Sequence, residues 1–275
     1  MDIQMADVRI LPEFKNSPLT EVVLSVQFAP LVNYRGTNAF EVWSLFREEF
    51  SQLEEHPPLP QQFETFGRSA QGSVNLEFVR GPMPSRYWFL TDDKSELLQF
   101  QPDRFIQNWR KVAAGGRPYP RFESMIARYF DNIETLALYA ETSELGPIAP
   151  NQCEVTYINQ LPARREDGSV VPPEHYFSLF AKAPRFAASD TRTTFRQEIK
   201  DDQGESVGRY IIEFADAWNS DGESIYRLTL VGRGAPQSAD LNASREFMER
   251  MRLGIFDAFI AVTTDEAQKA WGKET

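Results

Sequence analysis

The chain has 275 residues, 41% hydrophobic and 13% aromatic, with a formal net charge of −11. Twenty-one Phe, nine Tyr and five Trp exclude extended disorder, and the length leaves room for one large domain or two ordinary ones. The acidic balance disfavours a protein that wraps duplex DNA, while one cysteine and two histidines exclude a disulfide framework and argue against a self-contained zinc site.

The start, Met1–Asp7, lacks the basic and apolar runs of an export signal. The longest apolar stretch, Gly254–Thr264, is too short to cross a bilayer. A cytoplasmic location is therefore expected, with no membrane association. Glu21–Phe28 alternates Val22, Leu24, Val26 and Phe28 with its other residues, the period of a half-buried strand, and Pro18 and Pro30 bracket it. Asn38–Glu54 changes to a helical stripe of Val42, Leu45, Phe46, Phe50 and Leu53, ended by Pro57-Pro58. Four strand-like runs follow at Ser73–Arg80, Arg86–Thr91, Glu96–Gln101 and Arg104–Lys111. Turns this short between them permit only antiparallel pairing. Tyr119–Ala140 is the clearest helix, with apolar residues at offsets of three and four from Phe122 to Ala140.

The order then restarts. Cys153, Val155 and Tyr157 alternate in a strand, the turn-rich Leu161–Pro173 stands where a helix would be, and strands are expected at His175–Lys182, Thr191–Lys200, Ser206–Ala215 and Ser224–Gly232. A helix over Asp240–Thr263 closes the pattern. The expected fold class is α+β, in two tandem halves of antiparallel sheet plus long helix. Residues 1–146 read β-α-β4-α, and residues 147–275 repeat this without the first helix. This element order resembles the TATA-binding-protein-like and helix-grip folds, a likeness of topology that carries no function.

Standard catalytic motifs are missing. Gly67-Arg-Ser-Ala-Gln71 lacks the second glycine of a nucleophile elbow, no phosphate-binding G-x-x-x-x-G-K-[ST] occurs, and Gly232-Arg-Gly234 reads as a strand-end turn. Cys153 falls on the core face of its strand, as a small buried thiol does. His56 is placed at a helix end, where imidazole can meet the last carbonyls. Asp92-Asp93, Asp201-Asp202 and Asp216–Glu223 read as turns. No catalytic residue, metal ligand or cofactor is expected.

One constellation stands out. Arg104, Arg110, Lys111, Arg117, Arg121 and Arg128 face a single acid, Glu123, within an otherwise acidic chain. On a strand from Arg104, the side chains of Arg104, Asn108 and Arg110 share one face, while Phe105 and Trp109 pack inward. Arg117 and Arg121 fall just before and at the start of the next helix, where free N–H groups also favour an anion. Guanidinium forks suit phosphate or carboxylate, so Arg104, Asn108, Arg110, Lys111, Arg117 and Arg121 form a candidate anion site. The same arginines would equally suit pairing with surface carboxylates. If they bind an anion, they should converge on one accessible surface, and changing Arg104 and Arg110 to Ala should leave the melting temperature almost unchanged.

Asn16–Phe28 (NSPLTEVVLSVQF), Leu97–Lys111 (LLQFQPDRFIQNWRK) and Tyr119–Phe122 (YPRF) resemble a bacterial family of sporadically distributed, uncharacterised proteins. The ending around Phe256–Trp271 fits the same family. The resemblance implies a bacterial cytoplasmic protein and carries over no reaction, cofactor or catalytic residue. Scattered occurrence is compatible with an accessory or defence-linked role. Two classes of function stay open. The first is a non-catalytic macromolecular interaction protein, whose partner is a protein in preference to nucleic acid and which is free to form homo-oligomers. The alternative is a small-molecule or nucleotide-binding module, or an enzyme, with a cavity between sheet and helix.

Overall fold

The computed structural model describes residues 9, 11–67, 85–112, 115–180 and 191–274. In chain order the elements are β1 (Glu13–Phe14), β2 (Leu19–Phe28), α1 (Asn38–Phe46), β3 (Gln52–His56), β4 (Arg86–Leu90), β5 (Glu96–Gln101), β6 (Arg104–Arg110) and α2 (Phe122–Thr142). There follow β7 (Pro150–Pro162), β8 (Arg192–Lys200), β9 (Ser206–Trp218), β10 (Ser224–Gly234), α3 (Leu241–Val262), α4 (Asp265–Ala270) and β11 (Lys273–Glu274). The protein is α+β. Nine strands form one antiparallel sheet in the order β3-β4-β5-β6-β2-β7-β10-β9-β8, and β1 pairs with β11 apart from it.

The seam of this sheet is β2 against β7, with Val26 opposite Cys153 and Leu24 opposite Val155. It joins the segments on either side of residue 146 into one sheet. Moving outward, the last strand before each long helix comes next (β6 on one side, β10 on the other), and earlier strands follow in reverse order. One face carries Val22, Leu24 and Val26 from β2, Phe105 from β6, Val155 from β7 and Leu228 from β10, all fully buried. On it lie α2, through Met125, Tyr129, Ile133 and Leu136, and α3, through Met248, Met251 and Ile255. A helix stripe of this spacing meets a period-2 strand face only on that side. Helix α3 approaches closely because β10 presents glycine beneath it: a Cβ on Gly232 would stand 2.8 Å from that of Met251.

Several sequence expectations change. The first helix ends at Phe46, not Glu54, and Gln52–His56 is an edge strand paired with β4. Phe46 and Phe50 do share the core, but through a turn in which the Phe50 N–H donates to the Phe46 carbonyl, after which the chain extends. His56 therefore lies on β3, its ring stacked on Trp88 at 4.0 Å, not at a helix end. Two short 3₁₀ turns, Pro173–His175 and Ser178–Phe180, take the place of the first part of the strand expected over His175–Lys182, because Pro172-Pro173 starts a turn that buries Phe177. Gly232 and Gly234 lie within β10, not in a turn. The strand expected at Ser73–Arg80, like residues 181 and 182, lies outside the described residues.

Candidate functional site

The helix-covered face holds a cavity of about 870 Å³ at one end of the sheet, where α2 begins and the second half of α3 runs past it. Its floor comes from the strands: Leu19 of β2, Trp109 of β6, Tyr157 and Asn159 of β7, and Leu230 of β10. Ile255, Phe256 and Phe259 of α3 line one wall, and residues 11–17 with β1 line another. The β1–β11 pair keeps that second wall in place, with Phe14 edge-on to Phe259 (5.5 Å) and to Trp271 (6.3 Å).

Polar groups converge on the floor. The hydroxyls of Tyr119 and Tyr157 stand 3.2 Å apart. Burial raises the pKa of both phenols, so both stay protonated across the physiological range. In such a pair one hydroxyl donates to the other, and the acceptor's own proton remains free for a third group. Tyr119 is held by Trp109, ring against ring at 5.1 Å, and the Trp109 indole N–H donates to the Arg117 carbonyl at 3.0 Å. Arg252 of α3 lies over the Phe122 ring at 4.8 Å and pairs with Glu123 at 2.7 Å. Arg121, just before α2, has φ +71, in the left-handed region that non-glycine residues rarely adopt, and pairs with Glu13 at 2.6 Å. Lys111 lines the rim, is exposed, and pairs with no carboxylate among the described residues.

The opposite face of the sheet is closed differently. Leu59–Phe66 crosses it from β5 to β9. The Leu59 N–H donates to Gln101 of β5 and its carbonyl accepts from the same side chain, both at 3.0 Å. Arg104 of β6 donates to the Pro60 carbonyl at 2.9 Å and to Gln27, and the Gln62 N–H donates to Gln27 of β2 at 2.8 Å. Glu64 then pairs with Arg209 of β9 at 2.9 Å and Arg233 of β10 at 3.4 Å. Five strand spacings of ~4.8 Å make ~24 Å, which roughly eight extended residues can just cover. A hollow beneath this strap, lined in part by Gln27, Arg104, Gln152 and Arg233, measures only about 10 Å³.

The basic residues of the candidate anion site are thereby dispersed. Arg104, Asn108 and Arg110 do share one face of β6, but it is the strap face, and Arg104 is 7% exposed. Asn108 donates to Glu21 at 2.6 Å and accepts from Gln99 at 2.7 Å. Arg110 donates to the Lys94 carbonyl at 3.1 Å and lies over Trp88 at 5.7 Å. Arg117 turns to Glu49 (2.9 Å) and Glu96 (3.6 Å), which Arg128 also meets. Only Lys111, Arg117 and Arg121 touch the cavity. The six residues do not meet on one accessible surface.

Tyr157, Asn159 and Arg252 are site residues that the sequence did not single out. Tyr157 carried a faint signal, a phenol on the apolar side of an alternating strand; Arg252 carried none, since its place depends on how α3 crosses the sheet. Cys153 is buried at the seam, and burial pushes its thiol up to about 12, which leaves it unreactive. Among the described residues, no group of three or more His, Cys, Asp and Glu gathers as metal ligands, and no helix is long and apolar enough to cross a membrane. Compared with known proteins, the chain matches no family model, no curated protein and no solved structure.

Proposed function

We propose that the chain is a binding protein for a small molecule with an apolar, ring-sized body, seated between the sheet and the start of α2. The observation that carries this reading is the cavity itself: about 870 Å³, floored by Trp109, Tyr157 and Leu230 and walled by Ile255 and Phe259. That volume falls in the range of sites that take drug-sized ligands, and the lining joins an apolar floor and wall to polar groups around them, so it suits a ligand with both an apolar body and a polar end. The floor offers hydroxyls and an amide but no nucleophile beside a base, so the reading is of binding without catalysis. The bacterial setting implied by the resemblance of the Leu97–Lys111 segment belongs to the same proposal.

The test is a fluorescence titration with N-phenyl-1-naphthylamine, a neutral naphthyl probe. Saturable binding near one probe per chain is expected, lost in Leu230→Trp, which fills the floor, and weakened in Leu19→Phe. The absence of saturable binding by the folded protein, or binding that both folded variants leave unchanged, would overturn the reading.

A second reading, a macromolecular interaction protein, draws on exposed apolar side chains near α1: Phe40 at 58%, Leu138 of α2 at 63% and Val32 at 82%. Self-association in sedimentation velocity that Phe40→Ser abolishes would favour it. A strict monomer at high concentration, unchanged by that substitution, would count against the homo-oligomeric form of it.

A further inference from the structure

Basic side chains outnumber acidic ones around the cavity, in a chain whose overall balance is strongly acidic. The acids that do line it, Glu13 and Glu123, are each engaged by one arginine, Arg121 and Arg252 respectively. Both carboxylates are more than half exposed, 56% and 66%, whereas the Arg252 side chain is only 25% exposed and is braced on Phe122. Exposed ion pairs of this kind contribute little and exchange readily with other partners. The braced arginine is the fixed member of its pair, and the carboxylate is the mobile one.

Resting on the cavity reading above, we propose that the ligand carries an acidic group, carboxylate or sulfonate in geometry, and that Arg252 together with the Tyr119–Tyr157 hydroxyl pair receives it. In this arrangement Glu123 holds the position of the ligand's acid on Arg252 and leaves for solvent when the ligand enters. The unshared proton of the two phenols donates to one acid oxygen, and the guanidinium fork donates to the group from α3. Lys111 at the rim attracts the anion toward the opening. The apolar body then rests on Trp109, Leu230 and Ile255. No bond is made or broken; the exchange is of one carboxylate for another on the same arginine.

The test compares two probes that share a naphthyl body and differ in charge: 8-anilino-1-naphthalenesulfonate and neutral N-phenyl-1-naphthylamine. The sulfonate should bind the folded protein about tenfold more tightly, as a charge-assisted contact allows. Arg252→Gln should reduce that preference to within about twofold while leaving the neutral probe's affinity nearly unchanged, and Tyr157→Phe should remove part of it. Glu123→Gln should act in the opposite direction, tightening the sulfonate severalfold, because the resident carboxylate no longer competes. Thermal melts of each variant confirm the fold. Equal affinity for the two probes, or no change in preference with Arg252→Gln and Glu123→Gln, would overturn this inference and leave the cavity reading standing. Failure of both probes to bind saturably would remove the cavity reading itself.

Discussion

The two faces of the central strands close in opposite ways. On β2, Val22, Leu24 and Val26 point to the helices while Ser25 and Gln27 point to the strap, so neighbouring residues serve a cavity-bearing apolar layer and a bonded polar layer. The helix side accommodates about 870 Å³ of space because its polar groups there keep partners or reach solvent, as the paired Tyr119 and Tyr157 hydroxyls and the Arg252–Glu123 pair do. The strap side is filled because each buried donor or acceptor needs a partner, and Gln27, Gln101 and Arg104 find theirs on the backbone of Leu59, Pro60 and Gln62. Cationic chemistry therefore has different fates on the two sides. Arg104 is committed to carbonyl and amide oxygens, whereas Arg252 holds an exposed carboxylate that it can exchange.

This contrast can be broken from either side. Leu24→Ala, at a fully buried position of the helix face, should cost about 2–5 kcal/mol in urea unfolding, the largest effect expected here. Arg104→Ala should cost about 1–3 kcal/mol, because it removes the charge-assisted bonds of a buried guanidinium to the Pro60 carbonyl of the strap and to Gln27 of β2. That reverses the near-neutral outcome expected of an exposed arginine, and it should also expose Leu59–Phe66 to limited proteolysis. If Arg104→Ala melts like wild type, the strap is not held as described. Glu64→Gln weakens the far end of the strap and should cost roughly 1 kcal/mol, seen as faster amide exchange at Gln62 and little change at Leu59.

A smaller effect concerns Asp93. Burial works against its charge, but hydrogen bonds from the Ser95 and Arg117 N–H groups and the Thr91 and Ser95 hydroxyls outweigh it and hold the carboxyl down at about 2. Its contribution is full above the unfolded value of about 4 and is lost as pH falls through the folded value of about 2. Asp93→Asn should flatten stability over that window and leave the slope above pH 5 unchanged. Smallest of all, Arg121→Gln breaks an exposed pair and should shift stability by less than about 0.5 kcal/mol.

Period-2 and helical spacing made β2, α2 and α3 legible, and the short turns at Asp92–Lys94 and Pro102-Asp103 marked off β5 and β6, which are buried along nearly their whole length. The strand β3 was not, since Gln52–His56 is short and its state is set by pairing with β4 and not by its own pattern. The strap was also hidden: a run of Pro, Gln and Glu reads as a polar loop, and the oxygens and nitrogens it offers are those of the backbone. For the site, the face shared by Arg104, Asn108 and Arg110 followed from strand geometry. That Arg104 lies under Leu59–Phe66, and that Arg117 reaches Glu49 and Glu96, depended on contacts between elements far apart in sequence.

The most direct test of the account is methyl NMR during titration with 8-anilino-1-naphthalenesulfonate, which reads both faces of the sheet at once. Leu19, Leu230 and Ile255 report on the cavity, and Val23, Ile106 and Ile211 report on the strap side of the same sheet. Saturable shifts confined to the first group, and abolished by Leu230→Trp, are predicted. Shifts centred on Val23, Ile106 and Ile211, with Leu230 and Ile255 unmoved, would contradict it.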